Sequence, residues 1–276
     1  MNPDRNWKTL LPAVPGLAFL GLIMVLPVAG ILLLGFTEPQ PGLHNYERLL
    51  QSSSFMNIMR NTFVVAFLVT TFSILLGFPI AWFITVASSR LARIVLAVVL
   101  LSMWTSLLAR TYAWLVLLQN SGVINQTLIE WGLISHPLPL VNNLTGVVIG
   151  MTYIMIPFVV LPLQTSMAAI DKTVLSAASV CGANRLSIFG RVFLPLLIPG
   201  LTAGGVMVFV MSLGYFVTPA LLGGARNMML AEYIVQQVQN YLNWGIGGAA
   251  AVILLVITLA IYIPVLGFQR QATTNT

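Results

Sequence analysis

Long apolar runs alternate with short polar stretches along the chain, and the runs set the architecture. Six are long enough to cross a bilayer, at about 10–36, 62–86, 94–118, 144–168, 192–220 and 246–268. A spanning helix needs roughly 20 apolar residues. Each run is expected to be helical, because a helix satisfies its own backbone groups where no water can. The alternation of lipid-facing barrel strands is absent. The fold class expected is therefore all-α: one polytopic transmembrane domain over residues 1–276. The first run follows Arg5 and Lys8, as a signal peptide would, yet it is longer than the h-region of such peptides and no A-x-A site follows. It reads as a retained span.

The polar stretches are 37–61, 87–93, 119–143, 169–191 and 221–245, none large enough for a soluble domain. Between Leu43 and Asn61, apolar Leu49, Leu50, Phe55, Ile58 and Met59 interleave with polar residues, which predicts short interfacial helices. Asn120, Ser121 and Gly122, and then Ser135, His136 and Pro137, punctuate the segment 119–143. These connections read either as tethers or as a docking surface for an external partner.

Basic residues orient the spans. With a cytoplasmic N-terminus, the inner side holds Arg5, Lys8, Arg90, Arg93, Lys172, Arg185, Arg191 and Arg270, and the outer side only Arg48, Arg60 and Arg226. Glu38, Glu47, Glu130 and Glu232 fall outside. Both termini are thus expected in the cytoplasm. Composition agrees with a membrane chain: 58% of residues are hydrophobic and 7% charged, against about 25% charged in soluble domains. The net charge of +6 would point to nucleic acid in a soluble protein. Here the loops account for it, and membrane lipid, not nucleic acid, is the expected neighbour. Cys181 is the sole cysteine, and His44 and His136 lie far apart in polar connections. No disulfide framework or metal site is expected from them.

The segment from Ala169 to Gly200 carries the most specific pattern. Asp171 is placed to cap a helix over about 172–181. Gly182 stands where a residue of positive φ would end it. Asn184 can cap a second helix, on which Leu186, Phe189, Phe193 and Leu196 keep helical spacing. Ser176, Ala177, Ala178 and Ser179 give the first helix small faces. Such a surface either lets another protein approach closely or merely fills a loop.

This segment resembles the cytoplasmic EAA loop of ABC importer permeases, a Glu-Ala-Ala followed by Gly and then Leu-Pro. Ala177, Ala178, Gly182, Leu194 and Pro195 stand in its register, with Ser176 where the family usually has Glu. Asn45 to Leu50, Gly77 to Ala81, Trp104 to Trp114 and Ser212 to Gly224 look like the spermidine/putrescine branch. Permeases for opines, γ-aminobutyrate and phosphonates are related. The resemblance implies a type I importer permease at the bacterial inner membrane, forming half of a pathway for a polyamine or similar solute. It also implies that 169–191 is a coupling loop, with Ser176, Ala177, Ala178, Gly182, Arg185, Leu194 and Pro195 contacting or shaping the ATPase contact. The implied partners are two ATPase subunits holding ATP and Mg, a second paralogous permease, and a periplasmic or lipid-anchored substrate-binding protein.

Candidate pathway residues come from the spans. Arg110 is the one ionisable side chain within them, about 24 Å past Ile94 on a straight helix. It either serves the pathway or snorkels to the interface. Trp104, Tyr112 and Trp114 stand near it in sequence, and Tyr215 and Phe216 lie on the fifth run. Aromatic faces attract cations, and they also anchor helices at interfaces. Gly200 and Gly204 form a GxxxG pair for close helix approach, while Gly214 and Pro219 can bend the helix above. No Asp or Glu falls inside a span. A cationic cargo would then find its carboxylates on another subunit. No phosphate-binding G-x-x-x-x-G-K-[ST] loop exists in the sequence, and no HExxH, paired-Asp or Ser–His set occurs inside the spans. Neither catalysis nor ATP hydrolysis is expected of this chain. The rival readings are a secondary carrier or channel, which would usually place ionisable groups at mid-membrane, and an intramembrane enzyme.

Overall fold

In the computed structural model, residues 14–274 are described, and all their regular structure is helical. The first span, α1 (Val14–Thr37), includes a π-helical turn at Gly21–Val25; residues 10–13 of the expected run lie outside the described residues. A short helix α2 (His44–Gln51) precedes the second span, α3 (Ser53–Val86). That span starts nine residues before the expected position 62. The hydroxyl of Ser52 accepts from the Phe55 N–H at 3.3 Å and sets the start. Residues 53–61 are therefore the first turns of a long helix, and only His44–Gln51 is a separate one.

The third run departs most from expectation. It is not one helix over 94–118 but two, α4 (Ser89–Trp104) and α5 (Leu107–Leu118), with α6 (Val123–Glu130) continuing α5 after a short turn. The axis bends by 100° at Thr105–Ser106. Local hydrogen bonds explain the break. The Ser102 hydroxyl donates to the Val99 carbonyl at 2.6 Å and the Thr105 hydroxyl to that of Ser102 at 2.7 Å. These side chains offer the backbone an alternative to the helical ladder. The straight-helix depth for Arg110 consequently falls.

The fourth run is α7 (Leu144–Ala169), close to the expected 144–168, and Asn143 caps it by accepting from the Gly146 N–H at 2.9 Å. Then come α8 (Lys172–Val180), α9 (Arg185–Leu213) and, after a break at Gly214–Phe216, α10 (Val217–Leu222). The fifth span thus ends at Leu213 rather than 220. Gly214 stops it, and Pro219, which lacks an N–H, falls in the first turn of α10, where none is needed. A 3₁₀ turn (Ala225–Asn227) leads to α11 (Leu230–Gln239), and α12 (Trp244–Thr274) extends the sixth run, expected at 246–268, at both ends.

Helix α7 is the hub: 61% of its most apolar stretch is buried, against 28% for α3 and 33% for α9. Small residues bring its neighbours in. A methyl on Gly77 would lie 3.2 Å from the Val159 side chain, and one on Gly204 3.2 Å from the Val159 Cα. One on Gly200 would strike the Ser166 hydroxyl. The GxxxG pair of α9 therefore serves close approach to α7, as its spacing predicts. Helix α1 packs on α12, where a methyl on Gly35 would sit 2.6 Å from the Ala249 nitrogen. None of the most apolar stretch of α1 is otherwise buried. Among the described residues, five helices are long and apolar enough to cross a membrane, or six with the bent pair as one span.

Candidate functional site

At one end of the bundle α8 and α9 form a tight corner. An Asp171 carboxylate oxygen accepts from the Thr173 N–H at 2.8 Å, which starts α8 and holds that carboxyl below its ordinary value. The helix closes when Gly182 and Ala183 donate to the carbonyls of Ser179 and Ala178 at 3.0 and 3.1 Å. This 6→1 and 5→2-like pattern needs a residue of positive φ, and Gly182 has φ +82. Asn184 then caps α9, accepting from the Ser187 N–H at 2.8 Å. The corner predicted from the spacing is present.

Its surface divides in two. Ser176, Ala177 and Ser179 are exposed, with Val180 and Leu186 at 88% and 84% exposure. Behind α8 lies a cavity of about 460 Å³ walled by Trp82, Leu175, Ser176, Ser179, Arg185, Ile188, Phe189 and Phe193. Trp82 meets Phe193 edge-on with ring centres 4.8 Å apart, and Phe189 and Phe193 stack at 5.8 Å. Arg185 is the one charged residue of that lining. Leu194 and Pro195 follow a π-helical turn, Phe189–Phe193, in which Leu194 N–H reaches back to the Phe189 carbonyl. Pro195 cannot donate a helical bond and crowds the preceding turn, so the ladder widens just before it. Sequence reasoning missed Trp82 and Phe78, whose rings each meet Phe189 edge-on with centres 6.2 Å apart. Their i, i+4 spacing, matched by Phe189 and Phe193, is the signal that could have found them.

At the opposite end the two broken spans meet. The hydroxyls of Thr111 on α5 and Thr218 on α10 lie 3.2 Å apart, both fully buried. The Tyr215 phenol faces Thr218 within electrostatic reach of Arg110, without closing a hydrogen bond of normal geometry. Arg110 Nε is likewise buried without a partner. The structure thus brings Arg110 and Tyr215 together, and adds Thr111 and Thr218. The other aromatics are less enclosed. Trp104, at the break, is 88% exposed, and Tyr112 and Phe216 are exposed too. Trp114 instead packs against Tyr153, ring centres 5.6 Å apart, beside an apolar cavity of about 490 Å³.

Beyond this junction Glu232, in the first turn of α11, is 9% exposed. Its Oε2 is buried without a hydrogen-bond partner. Burial raises the carboxyl above its ordinary value, against a smaller lowering influence of the nearby Met229 backbone. The sequence signalled only that Glu232 lies outside the spans.

Comparison with known proteins follows the same outline. The sequence pattern described as binding-protein-dependent transport system inner membrane component matches residues 52–272. Over 253 residues the chain is 31% identical to the spermidine/putrescine transport system permease protein PotB of Escherichia coli, covering 91% of this chain and 90% of that one. It is 25% identical over 270 residues to PhnU of Salmonella typhimurium, a candidate 2-aminoethylphosphonate transport system permease, covering 95% and 92%. In fold it matches a chain of a bacterial alginate ABC transporter solved with an alginate pentasaccharide-bound periplasmic protein. There the TM-score is 0.79 at 20% identity, over 98% of this chain and 96% of that one.

Proposed function

The chain belongs to the family of binding-protein-dependent transport system inner membrane components, and from that premise we propose that it carries a polyamine or a related amine inward as half of an ATP-driven pathway. It is a multi-pass inner-membrane permease subunit of an importer, a transport component rather than an enzyme, and it works with an ATPase and a substrate-binding protein. The finer assembly belongs to the proposal. Two ATPase subunits hold ATP and Mg, a second, paralogous permease completes the pathway, and both termini face the cytoplasm. In this arrangement the α8 corner is the coupling element. Ser176, Ala177 and Ala178 seat against the ATPase, Gly182 fixes the turn, and Arg185, Leu194 and Pro195 set the course of α9. Movement of α8 reaches the pathway through α9, whose far end breaks at Gly214 beside Arg110 and Tyr215.

The observation that carries the cargo assignment is the 31% identity with PotB across 91% of the chain. A second reading rests on Arg110, whose buried, unpartnered Nε suits an anionic group, together with the likeness to PhnU. That cargo would be an aminoalkylphosphonate. The test is to isolate the complex from native membranes, identify its partners and bound solute, and measure uptake in proteoliposomes. ATP-dependent uptake of spermidine or putrescine is expected. Uptake of 2-aminoethylphosphonate alone would establish the second reading, and uptake without an ATPase would overturn both.

A further inference from the structure

The cavity behind α8 is graded from charged to apolar along the membrane-crossing direction. Its one charge, Arg185, is the first residue of α9 and so stands where that span begins. Phe189 and Phe193 follow one and two turns further in, on the same side of the helix. From α3 the wall is Trp82, four residues before that span ends at Val86. The cavity therefore starts at the polar boundary of two spans and runs inward between them. Trp82 and Phe189 each leave over a third of their surface open. The apolar cavity beside Trp114 has no such gradient, since no charged residue lines it.

The charge at the mouth is uncompensated by the lining, which contains no carboxylate. Exposed Arg90 and Arg93 at the start of α4, and Arg191 on α9, add to it at the same end of the bundle. Between Glu47 and Glu232 the chain has only two acidic residues, Glu130 and Asp171. Glu130 ends α6, and Asp171 is engaged with the Thr173 N–H at the start of α8. Basic pockets between spanning helices at a cytoplasmic face suit anionic lipid headgroups.

We infer that this cavity binds one phospholipid with an anionic headgroup. Arg185 pairs with the phosphate at the mouth, and an acyl chain runs inward along Phe189, Phe193 and Trp82. A free phosphate would use Arg185 and the two serines while leaving the five apolar walls, Trp82, Leu175, Ile188, Phe189 and Phe193, in water. A side chain from another protein would fill too little of it: Arg185 and Phe193 are separated by about 12 Å at an α-helical rise. Because α3, α8 and α9 all wall the site, the bound lipid ties the α8 corner to the spans.

The test reconstitutes the intact complex, ATPase included, in phosphatidylcholine bilayers holding a minor share of phosphatidylglycerol. Bromine is placed on the acyl chains of one lipid at a time, and tryptophan quenching is read. The difference between wild type and Trp82→Phe isolates the signal of Trp82 from that of every other tryptophan. Brominated phosphatidylglycerol should quench Trp82 well beyond its share of the bilayer, and brominated phosphatidylcholine should not. Arg185→Gln should weaken this preference about fivefold, the contribution of one basic side chain at an anionic membrane surface. Arg185→Lys should keep most of it. Equal quenching by the two lipids in wild type overturns the inference, whether or not the Arg185 variants assemble. So does an undiminished preference in Arg185→Gln. Loss of the preference on adding inorganic phosphate would assign the cavity to a soluble anion instead. A preference seen only after the ATPase is stripped would assign it to the subunit contact.

Discussion

Nothing lies within 4 Å of a methyl built on Gly182, so the cost of a larger side chain there is conformational, not steric crowding. A residue held at positive φ costs roughly 1–2 kcal/mol, more when β-branched. Gly182→Val should therefore misdirect the α8 corner while leaving membrane insertion intact. Ala178→Asp should leave the turn alone and put a charge on the contact surface. Both are expected to abolish cargo-stimulated ATP hydrolysis in reconstituted complexes, and wild-type stimulation in both would refute the coupling role. At the other end, Arg110→Gln should lower uptake per molecule at least severalfold with normal abundance. Arg110→Lys separates charge from the forked guanidinium; full transport in both variants removes Arg110 from the pathway. Gly182 was legible because the small-faced helix and the capping residues around it are local features. Thr111, Thr218 and Glu232 were not, because their burial depends on helices brought together from distant parts of the chain.

The same contrast holds for elements. Helix α7 was legible nearly to the residue because Asn143 caps it and its apolar run is unbroken. The break in the third run was hidden, since hydropathy continues through Thr105 and Ser106 while their backbones turn extended. An apolar stretch reports length, not straightness. Packing between α7 and α9 offers a direct check. A side chain at Gly200 meets Ser166 of α7, and overpacking of this kind typically costs about 1–3 kcal/mol. Gly200→Val should lower the melting temperature and membrane level of the complex, and adding Ser166→Gly should restore part of both. Unaltered stability in Gly200→Val would show that α7 and α9 do not meet there.

For the whole molecule, orientation depends on the distribution of basic residues rather than on packing, and a single thiol can read it. Cys181 is the sole cysteine and is exposed at the α8 corner. A membrane-impermeant maleimide should leave it unlabelled in intact spheroplasts and label it in inverted vesicles stripped of ATPase. Labelling from outside would reverse the assigned orientation. The number of spans was legible and their relations were not, α1 least of all. Its 24 residues measure about 36 Å, against a hydrocarbon thickness of roughly 30 Å. Within this chain the second half of α1 packs against α12, where Ile31 and Gly35 meet Gly248, while its first turns, 14–20, are exposed. The excess length must be absorbed by tilt, with the Gly35–Gly248 contact as the pivot. In a thicker bilayer this helix would stand up while the bundle beside it keeps its shape, so hydrophobic mismatch acts on the subunit through one hinged helix rather than through its core.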